Sequence, residues 1–107
     1  MTENSLKHLD DENFEQEISQ GVTLVDFFAD WCGPCRMMEP IIVDLAEELQ
    51  GSVKVAKLDI EAAQQVTATY QVTSIPTLIL FKDGKEVERV VGLKDKDALK
   101  QLVGSAT

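Results

Sequence analysis

Two cysteines are available for chemistry in this chain, Cys32 and Cys35, with only Gly33 and Pro34 between them. An acid, Asp26, stands upstream in the otherwise apolar run VTLVDFFA, and the single histidine, His8, lies far from both cysteines. A Cys-x-x-Cys pair can be half of a zinc site, a structural staple or a reactive dithiol. A structural zinc site needs four ligands; the chain holds two Cys and one His and no second Cys/His cluster, so the ligand set falls short and no metal is expected. His8 reads as a solvated surface residue. A bridge over two residues closes a tiny loop and removes little chain entropy, so a staple is of little use to a chain with a normal core.

A reactive dithiol asks for three things. The pair should open a helix, where unpaired N–H groups and the helix dipole stabilise a thiolate at Cys32. The dipole is worth up to ~2 kcal/mol against ~1.4 kcal/mol per pKa unit, so alone it acidifies Cys32 only modestly. The intervening residues should set the balance between oxidised and reduced forms. Gly33 and Pro34 carry no charge, whereas a His there would favour the reduced thiolate and make a stronger oxidant; a dithiol that gives up electrons readily is expected. Finally, the pair should be reachable at the end of a sheet, and residues 22–29 run directly into it, where ligands meet open α/β sheets.

The elements that must position these groups are short and alternate. Residues 6–9 read as a first strand, followed by a helix with Phe14 and Ile18 on one face and Asp10 and Asp11 as N-cap candidates. Residues 22–29 form a strand covered on both sides. A helix over 34–50 follows, with Met38, Ile41, Ile42, Leu45 and Leu49 at the helical period; Pro34 sits in its first turn and Pro40 inside it, where it should kink the axis. Residues 53–60 form a second buried strand. Residues 61–70 form a weaker helix with Ala62, Val66 and Tyr70 on one face. Residues 77–81 form another strand, Asp83-Gly84 a tight hairpin turn, and 86–91 the returning strand. Asp95 opens a last helix burying Leu99, Leu102 and Val103. Strand–helix–strand order implies parallel crossovers with helices on both faces, with the hairpin adding an antiparallel edge. The expected fold is a three-layer α/β/α arrangement, a mixed five-stranded sheet flanked by four helices, in one domain spanning 1–107.

Composition bounds the rest. The chain has 107 residues, 44% hydrophobic and 27% charged, as ordinary globular domains have. A formal charge of −9 argues against nucleic-acid binding and against docking on anionic membranes. The N-terminus shows no signal-peptide pattern and no stretch is apolar for ~18 residues, so a cytoplasmic location is expected.

Asp26 invites two readings. Leu24 and Phe28 share its face, and an acid buried there is costly unless paired; burial would raise its pKa toward the range of a general base. Lys57, in the neighbouring strand, is its expected partner. A structural ion pair, or an acid at an exposed edge, fits the sequence as well.

The run DFFADWCGPCRMMEP resembles the signature of the thioredoxin family, and Trp31-Cys32-Gly33-Pro34-Cys35 matches at every position. The resemblance extends over nearly the whole chain, through Lys57 in VAKLDI, Ile75-Pro76-Thr77, FKDGK at 81–85 and Gly92. Phe28 stands where the family usually has a second Trp, and Arg36 replaces a common Lys. The resemblance implies a protein-disulfide reductase that contributes to redox homeostasis. In it Cys32 is the nucleophile, Cys35 the resolving thiol and Asp26 the acceptor of the Cys35 proton. It implies no bound cofactor beyond a Cys32–Cys35 redox disulfide, with electrons arriving from NADPH through a separate thioredoxin reductase. Disulfide-containing clients are the other partners, and a monomer is expected. It also implies a cis Ile75-Pro76 bond, close backbone approach at Gly92, and a docking patch of Trp31, Gly33, Pro34, Ile75, Pro76 and Gly92. Pro76 as a simple turn residue and Gly92 as a turn glycine are the plainer readings. Two other functions compete: an oxidase or isomerase, and a binding module whose thiols are incidental.

Overall fold

Apolar runs of strand length alternate with helical stretches, and the computed structural model, which describes residues 5–106, arranges them in that order. The elements are β1 (Leu6–Leu9), α1 (Phe14–Ile18), β2 (Val22–Phe28), α2 (Gly33–Glu48), β3 (Lys54–Asp59), α3 (Gln64–Thr69), β4 (Thr77–Lys82), β5 (Lys85–Val91) and α4 (Lys96–Gly104). The five strands form one sheet in the order β1-β3-β2-β4-β5.

Alternation along each central strand divides the core into two layers. Leu24, Val55, Leu78 and Leu80 face α2 and α4, packing on Met38, Ile42, Leu45, Leu99 and Val103. Val25, Phe27, Ala56, Leu58, Ile79 and Phe81 face α1 and α3, packing on Phe14, Ile18 and Val66. Phe14, Tyr70 and Phe81 meet there with ring centroids 5.2–5.5 Å apart, a favourable spacing for tilted and edge-on rings. The result is the expected three-layer α/β/α sandwich with a mixed five-stranded sheet and four helices.

One feature of the sheet differs from the expectation. β1 and β2 both run parallel to β3, but β4 runs antiparallel to β2, so the antiparallel half begins one strand before the hairpin. A helix between two strands gives a parallel crossover only if the connection carries the chain to the far end of the sheet. This one does not. The N–H groups of Gln65 and Val66 at the start of α3 bond to Asp11, just beyond the end of β1, and Ile75, just before β4, packs on the two cysteines beyond the end of β2. The chain therefore turns round at the end where β3 finished and re-enters in reverse.

The helix ends also shift. Asp11 serves α3, and Asp10 closes a turn by accepting from the Glu12 and Asn13 N–H groups. α1 thus starts at Phe14, without a side-chain cap from either aspartate. α3 starts at Gln64, so Ala63 is buried in place of the expected Ala62. Asp83 and Gly84 both take positive φ (51° and 87°), the geometry of a two-residue hairpin turn. Asp95 caps α4 by accepting from the Ala98 N–H at 2.9 Å.

Candidate active site

The antiparallel return places four chain segments at one end of the sheet. β2 leaves it toward Trp31 and Cys32, β3 toward Ile60 and Glu61, β4 enters it from Ile75 and Pro76, and β5 leaves it at Gly92. The Phe27↔Thr77 and Thr77↔Val91 pairs fix this register. Two backbone bonds tie the corner: Ile60 N–H donates to Phe28 O at 2.9 Å and Gly92 N–H to Pro76 O at 2.8 Å. The Ile75-Pro76 bond is cis. Gly92 holds φ 98°, a conformation that side chains disfavour, while a Cβ there would meet no atom within 4 Å. Its glycine answers a backbone requirement in the isolated molecule, not a lack of room.

Cys32 is the N-cap of α2. Its backbone is extended (φ −86°, ψ 114°), and its Sγ accepts the Cys35 N–H at 3.2 Å. One of the helix's orphan donors thus points at the sulfur. With the helix dipole, it stabilises negative charge on Cys32. The two sulfurs are joined as a disulfide, with Cα atoms 5.2 Å apart, so the structure holds the oxidised form. Both cysteines are buried, Cys32 at 6% and Cys35 at 3% exposure. Ala29, Phe28, Ile60 and Ile75 pack around the pair. Arg36 reaches back to donate to Asp30 O at 3.0 Å.

Apolar side chains are exposed around this corner beside the charged Asp30, Arg36 and Glu61. Trp31 is 64% exposed, and its Nε1 donates to Glu61 Oε2 at 2.7 Å. Gly33 and Pro34 are exposed and Ile75 and Gly92 half-buried. Pro76, expected in the same patch, is buried between Ile75 and β4. Val91 and Leu93, flanking Gly92, are exposed instead. The sequence reading missed them, together with Glu61. Their only signal was the position of two aliphatics beside a glycine at a strand end.

Asp26 lies in mid-β2 on the face that α2 covers. It is buried, and its Oδ1 has no hydrogen-bond partner among the described residues. Burial, the dominant cause, pushes its carboxyl up to about 7; Lys57 opposes the rise and Glu39 adds to it. Lys57 is the register neighbour of Asp26 on β3, but the expected direct pair is not formed. The Lys57 ammonium goes to both carboxylate oxygens of Glu39, each at 2.9 Å, and sits 4.6 Å from the centre of the Phe28 ring. A lysine is long enough to pass its strand neighbour and reach the helix above, where Glu39 is better solvated than a carboxylate inside the sheet. Glu39 was also missed; its position one turn beyond Cys35 was the available signal.

Among the described residues no group of three or more His, Cys, Asp and Glu side chains could hold a metal ion, and no helix is long and apolar enough to cross a membrane. His8 is exposed on β1 at the sheet edge.

Comparison with known proteins gives one consistent result. The thioredoxin family model matches residues 5–105. The thioredoxin of Chlamydia pneumoniae is 55% identical over 92% of this chain and 95% of its own length. That of Chlamydia muridarum is 58% identical over 86% and 89%, respectively, and that of Bacillus subtilis 46% over 87% and 89%. Among solved structures, a single-site mutant of a thioredoxin from Halobacterium salinarum superimposes with a TM-score of 0.87 at 43% identity, covering 98% of this chain and 93% of the other.

Proposed function

The chain belongs to the thioredoxin family and is a dithiol–disulfide oxidoreductase; from that premise we propose how its residues divide the reaction. The observation that carries the proposal is the Cys32–Cys35 pair at the start of α2 with an unpartnered buried carboxyl, Asp26, in the sheet that α2 covers. In the reduced protein the Cys32 thiolate attacks one sulfur of a client disulfide. The client's other sulfur leaves as a thiolate and takes up a proton. A mixed disulfide between Cys32 and the client remains. The ionised Asp26 carboxylate then accepts the Cys35 proton, directly or through water. The Cys35 thiolate attacks Cys32 Sγ, and the client's second thiolate departs. Two electrons have passed to the client, and Cys32 and Cys35 are left as the disulfide of this structure. Thioredoxin Cys-x-x-Cys pairs are themselves a general example of acidified cysteines, and a helix N-terminus with a donor aimed at Cys32 supports placing the nucleophile there.

Trp31, Gly33, Pro34 and Ile75 with Gly92 form the docking surface for an extended client segment, whose backbone pairs with that of Ile75 in the manner of an added strand; Pro76, buried behind it, fixes the loop. Val91 and Leu93 enlarge the apolar rim. A separate thioredoxin reductase, fed by NADPH, returns the disulfide to the dithiol, in a cytoplasm that keeps thiols reduced. The protein works as a single-domain monomer.

The test is turnover of a disulfide-bonded protein with NADPH and a thioredoxin reductase. Reduction should depend on both cysteines, and Cys35→Ser should accumulate a client-linked mixed disulfide. Full turnover by Cys32→Ser would overturn the assignment.

A further inference from the structure

Asp26 has a cation as its nearest strand neighbour and yet is not paired with it. Registered residues on adjacent strands point their side chains to the same face about 5 Å apart, so Lys57 is the natural partner for a buried acid at Asp26. A direct pair would hold the carboxylate ionised and occupied, of little use as an acceptor for a proton from Cys35. Two contacts keep the ammonium elsewhere. Glu39 holds it with both oxygens at 2.9 Å, and the face of Phe28 lies 4.6 Å away. Glu39 is one helical turn from Cys35, so the carboxylate that captures Lys57 rides on the helix that carries the resolving thiol.

We propose that Glu39 is a positioning residue for the second half of the reaction, holding the Lys57 ammonium off Asp26 so that the buried carboxyl stays unpartnered and able to take up the Cys35 proton. This rests on the reading of Asp26 as the base. Glu39 is exposed while the Lys57 side chain is only 12% exposed, so the anion lies at the rim and draws the lysine outward over the acid. The charged and titratable groups facing Asp26 are few. Among the described residues β3 supplies Lys57 and α2 supplies Glu39. β4 presents Leu78. α4 faces this layer with Leu99 and Val103, while its Lys96 and Lys100 are engaged with Glu48. The raised titration of Asp26, with Lys57 lowering it and Glu39 raising it, is consistent with this arrangement.

The test follows the Asp26 carboxyl directly, by NMR titration of isotope-labelled oxidised protein. Glu39→Gln should lower its midpoint by about 1 unit or more, as an opposite charge moving within reach of a carboxylate does. Glu39→Asp should restore it toward the wild-type value. Lys57→Met should raise it, and in that background Glu39→Gln should have less than about half of its effect, because the lysine it released is gone. An unchanged midpoint in Glu39→Gln overturns the proposal. So does an equal shift with Lys57 present or absent, which would mean that Glu39 acts by its own charge alone. The base role is read separately, from the pH profile of mixed-disulfide resolution. If the Asp26 midpoint falls in Glu39→Gln and the rate profile does not follow, Glu39 does hold Lys57 off Asp26, but the base reading fails and with it the role in the reaction.

Discussion

Two acids under and on α2 illustrate opposite uses of a carboxylate. Glu48, the last residue of α2, is exposed and lies between two ammonium groups of α4, 2.7 Å from Lys96 and 2.5 Å from Lys100, which draw its carboxyl down to about 2. Asp26, near the other end of the helix, is buried with no hydrogen-bond partner for its Oδ1 among the described residues, and rises to about 7. The well-paired acid joins two helices and has no chemistry to perform. The unpaired one is costly to the fold, and in the proposed mechanism it is the acceptor for the Cys35 proton. The same residue chemistry thus titrates at opposite ends of the carboxylate range according to burial and pairing.

The comparison breaks most visibly at the cysteines, which give the Asp26 end its purpose. Cys32→Ser should abolish client reduction, measured by coupled NADPH consumption, while a charge-removing change at the other end, Glu48→Gln, leaves turnover as in the wild type. Next in size is Asp26→Ala. Removing a general base should slow resolution of a trapped mixed disulfide on the order of 10²-fold at pH 7, the lower end of what such groups contribute. Rapid-quench measurement of client release checks it.

The two acids should also pull stability in opposite directions with pH. Asp26 binds its proton more tightly folded than unfolded, its pKa rising from 3.8 to about 7. The folded state then holds the extra proton between those values, and stability falls as pH rises across that window. A difference of about 3 units at ~1.4 kcal/mol each makes the cost roughly 4 kcal/mol above pH 7. Asp26→Ala should therefore be more stable than wild type in urea unfolding at pH 8, by up to that amount less whatever its smaller side chain loses in packing, and the advantage should vanish below pH 4. Glu48 runs the other way. Its folded pKa is depressed from 4.5 to about 2, so its contribution is present above pH 4.5 and lost as the pH falls toward 2. Because it is fully exposed, that contribution is small and screened by salt. Glu48→Gln should lower the melting temperature slightly at low ionic strength and less at high.

How far these features were legible in the sequence depended on whether they were local. The corner at Cys32-Gly33-Pro34-Cys35 was legible because helix N-termini are set by nearby residues. The Asp83-Gly84 hairpin was legible because two consecutive positive φ angles favour that dipeptide. The burial of Asp26 was legible from its apolar neighbours at alternate positions. What failed was long-range. The direction of β4 depends on where α3 docks, and α3 is held in part by Asp11, more than fifty positions earlier. Lys57 was matched to Asp26 by strand neighbourhood alone, which cannot say that a helix carboxylate overhead competes for the same ammonium. The burial of Pro76 and the exposure of Val91 and Leu93 depend on packing at the sheet end, where four segments meet.

The role of Asp26 is tested most directly by the rate of mixed-disulfide resolution as a function of pH in wild type and Asp26→Asn, a near-isosteric change that removes only the titrating group. The wild-type rate should rise through an inflection near pH 7, and the variant should be slow and lack that inflection. A variant that resolves at the wild-type rate with the same inflection would contradict the assignment of Asp26 as the acceptor of the Cys35 proton.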